Sequence, residues 1–62
     1  MDVLLTVYYK NDPDRDYEEE FEAEDFDEVK EYVREMDDFD EIDHYVIASY
    51  DTHEIYDSAD DR

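Results

Sequence analysis

The sequence predicts an α+β domain: an antiparallel sheet of three to four strands with one helix on one face, in the order ββαββ. Two runs rich in β-branched and aromatic residues, "VLLTVYY" (3–9) and "HYVIASY" (44–50), lie near the two ends of the chain. Between them, Phe26, Val29, Val33 and Met36 recur at the spacing of one helical face. The chain has 62 residues, no glycine and one proline, which suits a single small folded unit better than a flexible one.

In the first run Val3, Leu5, Val7 and Tyr9 share one face, while Leu4, Thr6 and Tyr8 share the other. Apolar residues on both faces mark a central strand. "KNDPDRD" (10–16) reads as a turn, since Pro13 presets its own dihedral and the flanking Asn and Asp side chains bond nearby backbone. "YEEEFEAE" (17–24) alternates: Tyr17, Glu19, Phe21 and Ala23 point one way, and Glu18, Glu20, Glu22 and Glu24 the other. Glutamate is a poor strand former, so pairing must override propensity there, and a helix is the competing reading.

Asp25 with Glu28 three residues later resembles a capping box and opens the helix, predicted to run about three turns. Tyr32 lies beside the apolar stripe. Asp27, Glu28, Glu31 and Glu35 face solvent together with Lys30 and Arg34. "DDFDEID" (37–43) follows as an acidic loop pinned by Phe39 and Ile42. The 44–50 strand then turns at Asp51–Thr52 into a short partner, "HEIYD" (53–57), with His53 taking the left-handed position in place of glycine. One domain therefore spans 1–57, and 58–62 reads as a frayed tail.

One helix covers one face of such a sheet. The second face carries Leu4, Tyr8 and one set of residues from the 44–50 strand. It is a candidate homodimer or partner interface, or simply a surface of half-wet tyrosines.

The composition narrows the function. Twenty-four acids against five bases give a formal charge of −19. Such acidity can signal disorder, but 16% aromatic content and patterned apolar residues argue for a fold. Cysteine is absent, which removes disulfides and thiolate chemistry. No secretory leader pattern or membrane-length apolar run is present, so the expectation is a soluble protein of a host-cell cytoplasm.

Asp12, Asp14 and Asp16 begin like a calcium-binding EF-hand loop. The pattern then fails, with Tyr17 where glycine is required and Ala23 where a bidentate glutamate is required. His44 and His53, with Asp51 or Glu54, are too few and too ordinary to define a zinc site. No metal or other cofactor is expected. Paired carboxylates occur throughout, but an acid–base pair needs two unlike environments in a cleft, and so short a chain has little room for one. Ser49 and Ser58 sit in no nucleophile motif. No enzymatic activity is expected. Direct binding to nucleic acid is disfavoured, because affinity for phosphates comes from Lys and Arg.

The acids are unevenly placed. Residues 16–43 hold sixteen of the twenty-four and only two of the five bases. Outward positions on a strand recur about every 6.6 Å, close to the separation of successive phosphates along a nucleic-acid strand. Glu18, Glu20, Glu22 and Glu24 then form one row of charges. Asp27, Glu28, Glu31, Glu35 and Asp38 form a second along the helix. With Asp37, Asp40 and Glu41 of the following loop, they present charge to a groove built for DNA or RNA. Two like charges about 7 Å apart repel by about 0.6 kcal/mol in bulk water. Many such pairs cost a large part of a small domain's stability, and solubility requires far less charge. A strongly basic protein partner is the simplest reason for the pattern.

In "EEEFEAEDFDE" and "REMDDFDEID", set between apolar strands, the chain resembles the small phage and mobile-element proteins that mimic nucleic acid. These include anti-CRISPR, anti-restriction and uracil-glycosylase-inhibitor proteins, and the size and ββαββ order look most like an anti-CRISPR protein. The resemblance implies an inhibitor that occupies the DNA-binding surface of a CRISPR effector and evades host defence. Tyr17, Phe39 or Tyr45 would then add apolar anchoring. An immunity-type inhibitor of a basic nuclease is the main alternative. A small domain made acidic for high salt is the third reading, and the clustering of acids argues against it.

Overall fold

A computed structural model describes residues 1–61. Among these, four strands form one antiparallel sheet: β1 (Asp2–Tyr9), β2 (Asp12–Glu22), β3 (Ile42–Ser49) and β4 (Ile55–Asp57). The order across the sheet is β2-β1-β3-β4. One helix, α1 (Phe26–Arg34), joins β2 to β3. The α+β class and the sheet-plus-helix arrangement are as the sequence predicts. Two 3-10 turns, Phe39–Glu41 and Ser58–Asp61, complicate the plain ββαββ succession.

The first strand is central because both its faces carry apolar side chains. Its odd-numbered set, Val3, Leu5, Val7 and Tyr9, is buried, and so are Val29 and Val33 of α1 and Ile47 of β3. Ala23, Ile42 and Tyr45 complete this single core, with Phe21, Phe26, Met36 and Tyr56 packed at its margin. Helix and sheet thus meet on the odd face, and among the described residues no layer covers the even face of the sheet.

The second strand is longer than its sequence suggests. The predicted turn at 10–16 shrinks to Lys10–Asn11, and β2 begins at Asp12. The register jumps from Tyr8↔Asp16 to Tyr9↔Asp12, so β2 bulges over residues 13–15. A strand can hold proline there because β2 is an edge and the bulge removes Pro13 from the ladder. A smaller shift on the other side, Tyr8↔His44 to Tyr9↔Ile42, leaves Asp43 over in β3.

The helix begins as its sequence predicts. The Asp25 carboxylate accepts from the Glu28 N–H at 3.0 Å, and the Glu28 carboxylate accepts from the Glu24 N–H at 2.8 Å. The first of these satisfies a donor that the first turn leaves over, and the second ties down the residue just before the cap. It ends two residues earlier than Met36, with Glu35 as its cap. Ile42 is buried and pins the acidic loop, whereas Phe39 stays 40% exposed and does not. His53 has φ of 61°, the left-handed position expected of it. Residues 58–61, expected to fray, form a turn whose Ser58 Oγ accepts from the Tyr45 N–H at 2.9 Å. Arg62, the last residue of that expected tail, lies outside the described residues.

Candidate functional site

Cross-strand pairing lays the even face out as a set of rows, each starting on β2. Glu20 stands beside Leu4, then Ala48, then Ile55; Glu18 beside Thr6, then Val46, then Asp57. Asp16 stands beside Tyr8 and then His44, and Glu22 beside Asp2. Every row therefore opens with a carboxylate at the sheet edge. Asp16, Glu18, Glu20 and Glu22 are all exposed. With two residues per repeat they stand about 6.6 Å apart and span about 20 Å of the edge.

This row differs from the expected one at both ends. Glu24 is not part of it, because β2 stops at Glu22. The chain is tied there by the Ala23 N–H donating to the Met1 carbonyl at 2.9 Å and the Met1 ammonium donating to the Ala23 carbonyl at 2.7 Å. Beyond that clasp it bends into the helix cap, and Glu24 belongs to the bend. Asp16 takes the fourth place. Sequence reading missed it by assigning 10–16 to a turn; its alternation with Glu18 was the signal that could have found it.

The rings at the rim of this face are ordered by their neighbours. Tyr8 stacks on His44 with centroids 4.5 Å apart and planes 13° from parallel, and His44 Nδ1 lies 2.8 Å from Asp43 Oδ2. Tyr50, 51% exposed, donates its hydroxyl to Glu20 at 3.3 Å. Partial removal from water, followed by the charge of Glu20, raises the Tyr50 phenol above its ordinary value of 10.0.

The helix acids lie on the opposite side of the sheet from the outward acids of β2, so the two expected rows occupy different flanks. Their orientation follows from two contacts. Tyr32 leans toward β2, where its hydroxyl donates to Glu19 at 2.8 Å and its ring meets Phe21 at 5.3 Å. Lys30 leans the other way, its ammonium 4.1 Å from the centroid of the Tyr56 ring on β4. At about 100° per residue, Glu28 and Glu35 fall on the Tyr32 side, Asp27 and Arg34 fall with Lys30, and Glu31 stands on the outward crest between them. Asp27 also pairs with Lys30 at 3.6 Å. The β2 edge thus runs as a ridge with carboxylates on both flanks.

The loop acids divide as well. Asp37, Asp40 and Glu41 are exposed, while Asp38 is half-buried and bonds the Tyr9 hydroxyl. Burial first, and that bond second, raise the Tyr9 phenol. The Asp38 carbonyl opens the 3-10 turn, accepting from the Glu41 N–H at 2.9 Å. Of the expected apolar anchors, Tyr45 is buried and stacks on Tyr56 at 6.0 Å, so it is core and not contact surface. Tyr17 is 39% exposed but its hydroxyl is committed to Glu19.

Among the described residues no group of three or more His, Asp and Glu side chains converges as a metal-binding cluster. No helix among them is long and apolar enough to cross a membrane. No protein-family model, curated protein or solved structure matches this chain.

Proposed function

We propose that this protein is a non-enzymatic inhibitor that mimics nucleic acid and occupies the phosphate-binding surface of a basic protein, a CRISPR effector being the foremost candidate. The observation that carries this reading is the edge row Asp16, Glu18, Glu20 and Glu22. Its charges are held at a fixed repeat by backbone hydrogen bonds, so little order is lost when they meet an equally fixed set of Arg and Lys side chains. Glu28 and Glu35 on the other flank, with Glu31 on the crest of the helix, extend the charge around the ridge. A ridge of this kind enters a groove, as a nucleic-acid strand does.

Binding would be competitive and fast. A formal charge of −19 steers a cationic surface toward the chain over several ångströms, and added salt weakens that steering. The partner's phosphate-binding residues would exchange DNA for carboxylates, and no chemistry is asked of the inhibitor. An anti-restriction role uses the same surface against a different nuclease.

The immunity-type reading has one observation in its favour, the apolar strip beside the row, because such inhibitors anchor through a packed patch. DNA competition separates the two. Tagged protein is used to capture partners from cells carrying CRISPR and restriction systems, with and without target DNA. A captured DNA-binding effector that its DNA releases supports mimicry. A captured nuclease that DNA leaves in place supports the immunity-type reading and contradicts mimicry.

A further inference from the structure

The open sheet face has two parts, and only one of them is explained by charge. Beside the carboxylates of β2 lies an apolar floor of Leu4, Val46 and Ala48, continued by Ile55, which is 72% exposed. Thr6 sits among them, and Tyr8 and Tyr50 stand near the ends of the carboxylate row. A surface that copied only a phosphate strand would need no such floor. We infer that this face docks an arginine-bearing, apolar segment of the target protein, with guanidinium groups on the β2 carboxylates and aliphatic side chains on the floor. The inference rests on the inhibitor reading above and specifies the chemistry of its partner.

Charge complementarity chooses this occupant over a second copy of the chain. Two such faces brought together would carry two rows of carboxylates into one interface. Arg15 and Lys30, which could offset them, are turned to the opposite side of the sheet, over Tyr9 and Tyr56. Arginine is favoured over lysine because its planar fork binds carboxylates in a bidentate manner and also stacks on tyrosine. The Tyr50 hydroxyl on Glu20 shows that ring and carboxylate stand close enough for one guanidinium to use both.

The test compares two synthetic probes on the intact protein. One is an arginine–leucine peptide, the other an oligolysine of equal length and charge, each titrated while amide resonances are followed by NMR. The arginine–leucine peptide should bind at least about tenfold tighter, and its excess should persist in salt that removes the oligolysine. The amides of Leu4, Thr6, Val46 and Ala48 should shift. Val46→Glu should abolish the difference between the probes. Ile55→Glu, at a position outside the core, should reduce it without endangering the fold.

Equal affinities for the two peptides would overturn the inference. So would shifts confined to the amides of β2, which would mean strand addition at the edge, or a concentration-dependent dimer of the free protein shifting the same floor residues. Equal affinities would leave the mimic reading intact, since that needs charge alone. Failure of DNA to displace a captured partner would remove the mimic reading and leave the peptide result untouched.

Discussion

At the scale of single residues, Glu19 shows how one acid is used for the fold while its neighbours are left for a partner. It points to the helix side of the sheet and accepts two phenol hydroxyls, from Tyr17 and from Tyr32, each at 2.8 Å. The hydrogen bond to this carboxylate is the main reason that the Tyr17 phenol is pushed up to about 12 and the Tyr32 phenol is raised. Because the folded state favours the neutral phenol, its contribution to stability is complete below the ordinary value of 10.0. It is lost as pH rises through about 12. Ultraviolet titration of the seven tyrosines should therefore show a late-ionising class, and Glu19→Gln should move Tyr17 back toward 10.0. An unchanged titration in that variant would refute the link. Asp25 is a second single-residue case: Asp25→Ala should cost about 1 kcal/mol in urea denaturation, the usual value of a helix cap. Both features were legible early. Alternation turned Glu19 inward, and the Asp25–Glu28 spacing announced the cap. That Tyr32 would reach Glu19 was not legible, because it depends on which way the helix rolls over the sheet.

At the scale of elements, β2 carries the functional reading and also holds the main departure from sequence expectation. Its alternation was visible from Tyr17 onward, and the outward set Glu18, Glu20 and Glu22 is where alternation put it. The start of the strand was hidden because Asn, Asp and Pro in 10–16 carry strong turn signals, whereas an edge strand with a bulge tolerates all three. Asp16 was lost to the turn for that reason, and Glu24 was retained because nothing in the sequence reveals the clasp between Met1 and Ala23. The opposite placement of the helix acids was equally hidden: helical periodicity gives a face, not its bearing relative to a strand.

Two variants separate these elements. Glu18→Gln, Glu20→Gln and Glu22→Gln together should weaken partner binding by at least about tenfold. The same triple variant should leave the melting temperature unchanged or higher, since it relieves repulsion. Glu31→Gln with Glu35→Gln, on the outward side of the helix, should weaken binding less. A triple variant that binds like the wild type would remove β2 from the interface.

At the scale of the whole molecule, a small core holds together a surface that repels itself. The chain measures about 32 × 22 × 20 Å, and its core is a single layer between α1 and one face of the sheet. For a domain of this size the total stability is about 3–9 kcal/mol. Leu5, fully buried in that layer, should cost about 2–5 kcal/mol on replacement by alanine. Leu5→Ala is thus expected to remove a large share of that stability and to lower the melting temperature sharply, as read by circular dichroism. Sodium chloride should raise the melting temperature by screening repulsion among the acids, and a melting temperature indifferent to salt would show that the acids do not strain the fold.

Nucleic-acid mimicry is tested by displacement of a fluorescent DNA duplex from its purified effector, followed by anisotropy as this protein is added. Full displacement by the wild type is expected, with a midpoint that rises with the concentration of duplex and a loss of at least about tenfold in the Glu18/Glu20/Glu22→Gln variant. Displacement that does not depend on duplex concentration, or that the triple variant performs as well as the wild type, would contradict it.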